Sequence, residues 1–352
     1  MLEKKIRLLI VDDSVFFRET IAKFFEGDKI VEVVGKAGDP YEARDKIIEL
    51  RPDVVTLDVE MPKMTGIQFL KKLIPQYPQP TVIVSSAPIQ AFEALDAGAV
   101  DYVKKPMIKS PEDIRHFASE LRTKVIAASQ AKVIQKKPHV SSAHRVAARL
   151  PEISEAALSR HSQTVIALGA STGGTDALQT ILTAMPANCP PIVIVQHMPP
   201  VFTKMYADRL NKLCAVEIKE AANGDRLQNG RALLAPGDFQ MALHKDTRGY
   251  YVSVDSAEKV SGHRPSVDYL FRSVAKCAGK NAVGAIMIGM GSDGADGLLE
   301  MRKQGAYTIG QDKESCVVYG MPMCAYMKGA CVVQAPLDKI SGLICKYLQG
   351  GI

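Results

Sequence analysis

Five polar residues in the first third of the chain have the types and the spacing that transfer of a phosphoryl group requires. Each follows a short apolar segment, and they are Asp12, Asp13, Asp58, Ser86 and Lys105. Clustered carboxylates repel one another unless a hard cation such as Mg2+ neutralises them. Asp58 would then accept the phosphoryl group, while Lys105 and the hydroxyl of Ser86 stabilise its oxygens. Acids that only cap helices explain neither the lysine nor the hydroxyl, so the sequence predicts a phosphoryl-acceptor site.

A second set of residues suits attack on a carbonyl carbon. Ser171 lies in Gly169–Gly173, a G-x-S-x-G pentapeptide between a predicted strand and a predicted helix. In that setting a tight turn exposes the serine, and the helix N-terminus adds free N–H groups. His197 would act as the base and Asp293 would orient it. The order serine, histidine, aspartate differs from that of the α/β-hydrolase, chymotrypsin and subtilisin plans, so the α/β-hydrolase fold is not predicted.

Two alternatives remain open for this second set when the motifs are taken singly. Ser171 could serve only as a helix cap. Gly289–Gly294 also fits G-x-G-x-x-G after a strand, with Asp312 downstream, which imitates a dinucleotide-binding loop. Such a loop usually opens its domain, whereas only residues 295–352 follow it here. The late position of the loop disfavours nucleotide binding.

The elements that must position these residues alternate between short buried strands and amphipathic helices. Residues 1–124 contain five such β/α units, with Thr81–Ser85 as the fourth strand, which predicts a parallel sheet covered by helices on both faces. The alternation resumes at Thr164 and continues through residues 164–352, with one hairpin around Lys245–Gly249. The predicted strands of this part include Ile192–Gln196 and Ala285–Ile288. In both domains the strand ends that precede the polar residues would meet at one edge of the sheet. The sequence therefore predicts two α/β domains, of which the second is doubly wound and mostly parallel.

The segment between the two domains differs in composition and charge. Residues 125–163 are rich in Ser, Ala, Lys, Arg and His and show no sustained apolar face, which predicts a basic flexible linker. They carry 6 basic against 2 acidic residues, or +4. Residues 1–124 carry 19 against 20, or −1, and residues 164–352 carry 19 against 16, or +3. The excess of positive charge therefore lies mostly in the predicted linker.

Charge and composition also narrow the partners and the compartment. The net charge of +6 comes without an aromatic-basic stripe, which disfavours nucleic acid as a partner. No run of about 18 apolar residues is present, so we expect no insertion into a membrane. The seven cysteines are widely spaced and odd in number, which indicates free thiols in a reducing cytoplasm.

The first domain resembles the receiver domain of two-component response regulators. The resemblance rests on five motifs, namely Leu9–Ser14, Pro52–Asp58, Met61-Pro62, Gly66 and Lys104–Pro106. It implies a flavodoxin-like fold and phosphorylation of Asp58 by a histidine kinase, which is CheA in chemotaxis. It also implies Mg2+ held by Asp13, Asp58 and the backbone carbonyl of Glu60. Asp12 would be an outer acid of the same site.

The second domain resembles the chemotaxis protein-glutamate methylesterase family, CheB. The resemblance rests on six motifs, namely Gly169–Gly174, Val195–Pro199, Leu234–Asp238, His263–Asp268, Gly289–Gly294 and Val318–Pro322. It implies that Ser171 is the nucleophile, His197 the base and Asp293 the orienting acid. It places the oxyanion of the reaction on the backbone N–H groups of Thr172 and Met290.

The resemblance also implies which substrate the enzyme acts on and how its activity is controlled. Members of the family hydrolyse glutamyl methyl esters on chemoreceptors, release methanol and deamidate receptor glutamines, with no cofactor for the esterase step. An unphosphorylated receiver domain is expected to cover the active site, and phosphorylation of Asp58 would favour an open state. His263 is expected either to line the substrate groove or to have a structural role in its loop.

Overall fold

The chain folds into two units, Met1–Ser142 and Ala143–Ile352, which are described separately below. The computed structural model describes residues 4–86, 88–107, 110–131 and 150–351. Within these residues, no helix is both long enough and apolar enough to span a membrane.

The first unit alternates strands and helices along its described length. Its elements are β1 Ile6–Val11, α1 Val15–Phe24, β2 Val31–Ala37, α2 Pro40–Leu50, β3 Val54–Asp58, α3 Gly66–Leu73, β4 Thr81–Ser85, α4 Pro88–Asp96, β5 Asp101–Lys104 and α5 Pro111–Ser129. The strands form one parallel sheet in the order β2-β1-β3-β4-β5. The prediction of five β/α units around a parallel sheet is confirmed.

Burial and capping explain why these segments form strands and helices. The central strands β3 and β4 consist wholly of buried residues, as strands covered on both faces must. The side chain of Asp39 accepts hydrogen bonds from the N–H groups of Tyr41 and Glu42 at the start of α2, where a proline occupies the first turn. Because all five strands run the same way, β1 and β3 end at the same edge, at Asp12 and Asp58.

The second unit is larger and contains two sheets. Its elements are α6 Glu155–Arg160, β6 Val165–Ala170, α7 Gly174–Ala184, β7 Ile192–Gln196, α8 Phe202–Leu213, β8 Glu217–Glu220, β9 Arg231–Leu234, β10 Gln240–Asp246, β11 Gly249–Asp255, α9 Val267–Ala278, β12 Ala282–Ile286, α10 Ala295–Lys303, β13 Tyr307–Gln311, α11 Met321–Met327, β14 Val333–Ala335 and α12 Leu337–Leu348. Seven strands form a parallel sheet in the order β14-β13-β12-β6-β7-β9-β8, and β10 and β11 form an antiparallel hairpin. The doubly wound, mostly parallel architecture is confirmed.

The strand order of the larger sheet creates a crevice at the carboxyl ends of β6 and β12. β6 lies in the middle of the sheet, with β7 on one side and β12 on the other. The direction of winding reverses there, and ligands of open parallel sheets bind at such a point. Ser171 directly follows β6, and Gly289–Gly294 lies between β12 and α10. Two of the predicted motifs therefore meet at the crevice.

The strand before the glycine-rich loop lies earlier than the sequence predicted. The pattern indicated Ala285–Ile288, whereas β12 is Ala282–Ile286. The chain leaves the sheet because Ile288 makes other hydrogen bonds. Its N–H donates to Oε1 of Gln311 (2.9 Å), and its carbonyl accepts from the N–H of Ser171 (3.0 Å).

Part of the predicted linker packs on the second unit. The helix α6 lies within the range 125–163, and α5 also continues into it. Ile153 is buried, and its backbone makes two hydrogen bonds with the side-chain amide of Asn188 (3.1 and 2.8 Å). Residues 132–149 of the predicted linker lie outside the described residues, so its flexibility stays a prediction.

Candidate active site and phosphoryl-acceptor site

Ser171 lies in a tight turn between β6 and α7. Its N–H donates to the carbonyl of Ile288 (3.0 Å), and its own carbonyl accepts from the N–H of Gly174 (2.7 Å). The turn requires glycine at Gly173, whose φ is +79°, and at Gly174, where a Cβ would lie 2.1 Å from Oε1 of Gln196. The amide of Gln196 also donates to the carbonyl of Ser171 (2.8 Å). These contacts fix the backbone of the candidate nucleophile.

His197 connects Ser171 to Asp293 through its two ring nitrogens. Nδ1 lies 3.0 Å from Oγ of Ser171, and Nε2 lies 2.7 Å from Oδ2 of Asp293. With the proton on Nε2, as a hydrogen bond to a carboxylate requires, Nδ1 is left as an acceptor for the serine hydroxyl. The structure thus brings together all three residues predicted for attack on a carbonyl. All three side chains are nearly buried, and the arrangement can remove the proton of Ser171 during such an attack.

Asp293 is held at the N-terminus of α9 by four hydrogen bonds. Oδ1 accepts from the hydroxyl of Ser266 (2.8 Å) and from the N–H of Asp268 (3.0 Å). Oδ2 accepts from the N–H of Val267 (2.8 Å) and from the ring of His197. Burial raises the pKa of Asp293, but these hydrogen bonds, first of all that from His197, outweigh burial and hold the pKa below its usual value. The carboxylate is therefore charged and fixed in place, as an orienting acid must be.

Sequence reasoning did not identify Ser266, which joins the site through its hydroxyl. The hydroxyl donates to Asp293 and also accepts from the N–H of Tyr269 (3.3 Å) as the N-cap of α9. The available signal was a serine directly before an amphipathic helix, which indicates a cap. It does not reveal that the same hydroxyl contacts a carboxylate 27 residues further along the chain.

The glycine-rich loop after β12 packs tightly against the serine turn and α9. A Cβ on Gly289 would lie 2.8 Å from Cβ of Ser171, and a Cβ on Gly294 would lie 2.5 Å from Cγ1 of Val267. Glycine is needed at both positions because another side chain would push these segments apart. Close packing therefore accounts for Gly289 and Gly294 without a bound nucleotide, and Gly291 has a positive φ of +86°.

The two backbone N–H groups predicted to bind the oxyanion belong to Thr172 and Met290. Thr172 follows the serine in its turn, and Met290 follows Gly289 in the loop that packs on Ser171. Across residues 150–351, neither N–H group donates to another atom of the chain. Both are therefore available as donors beside the serine, and their role as an oxyanion hole stays a prediction.

In the first unit, the predicted acids lie together at the strand ends. One carboxylate oxygen from each of Asp12, Asp13 and Asp58 lies within 4.8 Å of the other two. Nζ of Lys105 lies 2.7 Å from Oδ2 of Asp12 and 2.6 Å from Oδ2 of Asp58. The structure thus brings together four of the five residues that the sequence suggested for phosphoryl transfer.

The buried environment of Asp58 destabilises the ionised form of its carboxyl group. Burial raises the pKa of this carboxyl from 3.8 to about 6, against the lowering effect of Lys105. Burial lowers the pKa of Lys105 in turn, but its contacts with Asp12 and Asp58 outweigh burial and raise it. Among the described residues, Lys105 offsets one negative charge of the three carboxylates. An oxygen-rich cluster with excess negative charge fits Mg2+, so these residues suit the cation that the resemblance implies.

Ser86 and Glu60 follow the strands that carry the acid cluster. Ser86 is exposed after β4, and its hydroxyl makes no hydrogen bond within the described part of the chain. The N–H of Glu60 donates to Oδ1 of Asp58 (3.3 Å). Glu60 and Asp13 also line a cleft of about 600 Å³ that opens beside the cluster. Their predicted parts in phosphoryl binding stay predictions.

The fold and the two sites define a class of protein. One α/β unit has the serine, histidine and aspartate of a hydrolase, and the other has a buried acid cluster with a lysine at the edge of a parallel sheet. The sequence model of the CheB methylesterase family matches residues 166–344, and that of the response regulator receiver domain matches residues 8–118. The chain therefore belongs to the CheB methylesterase family, and its first unit is a receiver domain, as the motifs predicted.

Relatives of known name are similar over nearly their whole length. "Protein-glutamate methylesterase/protein-glutamine glutaminase 2" of Syntrophomonas wolfei is 49% identical over 350 residues, which cover 98% of each chain. "Protein-glutamate methylesterase/protein-glutamine glutaminase" of Bdellovibrio bacteriovorus is 44% identical over 350 residues and also covers 98% of each chain. The crystal structure of the Thermotoga maritima CheB methylesterase catalytic domain is 35% identical, with a TM-score of 0.51, and covers 52% of this chain and 98% of that one.

Proposed function

We propose that this chain is a phosphorylation-controlled protein-glutamate methylesterase and protein-glutamine glutaminase that acts on chemoreceptors. The observation that carries the proposal is the line of contacts from Oγ of Ser171 through the ring of His197 to the carboxylate of Asp293. A serine placed in this way attacks ester and amide carbonyls. The names of the relatives supply the substrate, which is a glutamyl methyl ester or a glutamine side chain on a protein.

In the proposed reaction, Oγ of Ser171 attacks the side-chain carbonyl carbon while its proton passes to Nδ1 of His197. Asp293 stabilises the imidazolium that forms, and the N–H groups of Thr172 and Met290 donate to the oxyanion. The proton on His197 then moves to the leaving oxygen, and methanol departs. Water attacks the acyl-serine with the same base and restores the hydroxyl. With a glutamine side chain, ammonia leaves in place of methanol.

We propose that the receiver domain switches this activity on. Mg2+ would be held by Asp13, Asp58 and the backbone carbonyl of Glu60, with Asp12 as the outer acid of the site. The bound cation would neutralise negative charge on the incoming phosphoryl group. Asp58 accepts that group from a histidine kinase of the CheA type. Lys105, which already contacts Asp58, pairs with the added charge, and the hydroxyl of Ser86 hydrogen-bonds a phosphoryl oxygen.

We propose a cytoplasmic location and two protein partners. The partners are the methyl-accepting chemoreceptors, which are the substrate, and the histidine kinase, which is the phosphodonor. All seven cysteines are free thiols, and four of them are buried. Free thiols in this number support a reducing compartment.

The replacement Ser171→Ala tests the proposed function. We expect release of methanol from methylated receptor membranes to fall by at least about a thousandfold, because the nucleophile is lost. Transfer of a phosphoryl group to Asp58 should be unchanged. Ser159→Ala, which alters an exposed serine on α6, is the matched control and should behave like the wild type. Methanol release by Ser171→Ala at the wild-type rate would contradict the proposal.

A further inference from the structure

The ring of His263 lies flat against the ring of His197. The two ring centroids are 3.8 Å apart, and the ring planes differ by 9°. This is a stacked pair in close contact. The sequence left two alternatives for His263, a place in the substrate groove or a structural role in its loop. The stacking favours a third role, because its partner is the candidate base of the reaction.

The orientation of the ring plane matters because His197 uses both of its ring nitrogens. The lone pair on Nδ1 and the proton on Nε2 lie in the plane of the ring, and they face Ser171 and Asp293. A tilt of the ring out of this plane misaligns both hydrogen bonds, which weaken steeply as their angles bend. The two bonds themselves oppose the tilt because bending weakens them, and a contact on the face of the ring adds to that resistance. A flat ring in contact with one face opposes it directly.

The loop that carries His263 is itself tied down by hydrogen bonds. Its N–H and its carbonyl both pair with the backbone of Val260 (2.9 and 3.1 Å). The carbonyl also accepts from Nε2 of Gln240 (3.1 Å), a fully buried side chain whose Oε1 accepts from the N–H of Ser266 (2.9 Å). Ser266 in turn donates to Asp293. One short segment therefore positions both the stacked ring and the orienting carboxylate.

We propose that His263 is a positioning residue that holds the ring plane of His197 in the orientation required for proton transfer. The proposal rests on the esterase function proposed above. During the reaction His197 takes the proton of Ser171, and the imidazolium that forms keeps its place against the ring of His263. What matters in this role is the flat ring at position 263, and not its ability to exchange a proton with the substrate.

The test compares replacements that keep the flat ring with replacements that remove it. His263→Phe keeps a flat ring, whereas His263→Leu and His263→Ala do not. Methanol release is measured with the full chain, methylated receptor membranes and a small acyl phosphate as activator. We expect the Phe variant to keep kcat within about threefold. The Leu and Ala variants should lose about 30- to 100-fold in kcat with little change in KM, since a small misplacement of a catalytic group costs about 100-fold.

The matched control is His244→Ala. His244 is a half-buried histidine of the same unit that stacks on Tyr251, with ring centroids 5.3 Å apart, and its ring hydrogen-bonds Ser253. Loss of a stacked histidine at this position should leave kcat and KM at the wild-type values. A tenfold loss of kcat in this control would show that histidine removal acts through general destabilisation, and it would overturn the proposal.

A second measurement follows the hydrogen bond itself. The proton on Nε2 of His197 that is bonded to Asp293 gives a far-downfield NMR signal, which should persist in His263→Phe and broaden or vanish in His263→Leu. Equal kcat values for the Phe and Leu variants would overturn the proposal, as would an unchanged signal in His263→Leu. A rise in KM at constant kcat would show that the ring contacts substrate, and it would also overturn the proposal. The comparison of Phe with Leu is sufficient where His263→Ala does not fold.

The variant Ser171→Ala separates this proposal from the proposed function. If it retains methanol release, the proposed function fails whatever the variants at position 263 do. If it is inactive while the variants of His263 behave like the wild type, only the positioning role fails.

Discussion

The hydroxyl of Ser266 contributes to a helix and to the active site at once, because it caps α9 and donates to Oδ1 of Asp293. Its removal leaves Oδ1 with the N–H of Asp268 as donor. We therefore expect Ser266→Ala to raise the pKa of Asp293 toward its ordinary value. We also expect it to lower kcat about tenfold, because the loss of one charge-assisted hydrogen bond costs about 1.5 kcal/mol. Loss of the cap should also reduce stability by about 1 kcal/mol. Methanol release and thermal unfolding measure the two effects.

Ser154→Ala is the control that separates capping from catalysis. Ser154 caps α6 through the same kind of contact, with its Oγ 3.3 Å from the N–H of Ala157, and it makes no contact with Asp293. This control should lose stability and keep its kcat. If Ser266→Ala also kept its kcat, the role given to Ser266 in the site would be wrong. Ser266→Thr retains a hydroxyl at the same position and should recover most of the activity.

The sequence was enough to predict which residues form the candidate site, but it did not predict how their side chains are arranged. The types and order of Ser171, His197 and Asp293, each near the end of a predicted strand, were sufficient to propose that they meet. The sequence could not show which ring nitrogen of His197 faces which partner, nor that His263 stacks on that ring. Both depend on side-chain packing between loops that are far apart in the chain, and no local pattern reports such packing.

At the scale of elements, burial on both faces made the central strands easy to predict. Thr81–Ser85 and Ile192–Gln196 have the predicted bounds because each contains a short continuous apolar run, VIV and IVIV, with turn residues on both sides. The short elements α11 and β14 were not predicted. They contain only 7 and 3 residues, too few to show a period of their own. Their formation depends on contacts with the glycine-rich loop and with β13.

An ion pair connects α5 to the start of β2. Oδ2 of Asp28 lies 2.6 Å from Nε of Arg122, and Oδ1 accepts from the N–H groups of Ile30 (2.7 Å) and Val31 (2.9 Å). Burial raises the pKa of Asp28, but the hydrogen bonds outweigh it and lower the pKa from 3.8 to about 2. A carboxyl whose pKa is depressed on folding stabilises the fold above its unfolded pKa. This contribution is lost as the pH falls from about 4 to about 2.

We therefore expect Asp28→Asn to lower the free energy of unfolding by about 1 kcal/mol at pH 7. This is less than the full pKa shift implies, because the side chain of Arg122 is 40% exposed and water screens the pair. The difference from the wild type should shrink as the pH is lowered to 3, which urea unfolding followed by circular dichroism measures. Asp45→Asn alters an exposed acid beside Arg44 and should have no effect at either pH. If the free energy of unfolding of Asp28→Asn differed from that of the wild type by the same amount at pH 7 and pH 3, this role for the ion pair would be ruled out.

At the scale of the whole molecule, the two units share an architecture and differ in their chemistry. Each has a parallel sheet whose strands end at one edge, and each carries its polar residues at that edge. In the receiver domain the edge holds the buried Asp58, whose ionised carboxylate is destabilised by burial until a positive charge neutralises it. In the second unit the edge holds Ser171 with the ring of His197, its proposed base, already in contact. The first arrangement suits a switch, and the second suits a catalyst that needs only access to its substrate.

This division predicts that Asp58 controls the activity of Ser171, although the two residues belong to different units. With Mg2+ and a small acyl phosphate, the wild type should release methanol about 5- to 150-fold faster, the range typical of coupling between sites. Asp58→Asn has nearly the same volume but no carboxylate to accept the phosphoryl group, so its rate should stay at the unstimulated value. Asp45→Asn should respond like the wild type. Full stimulation of Asp58→Asn would refute control through this residue, because no phosphoryl group could then be held at position 58.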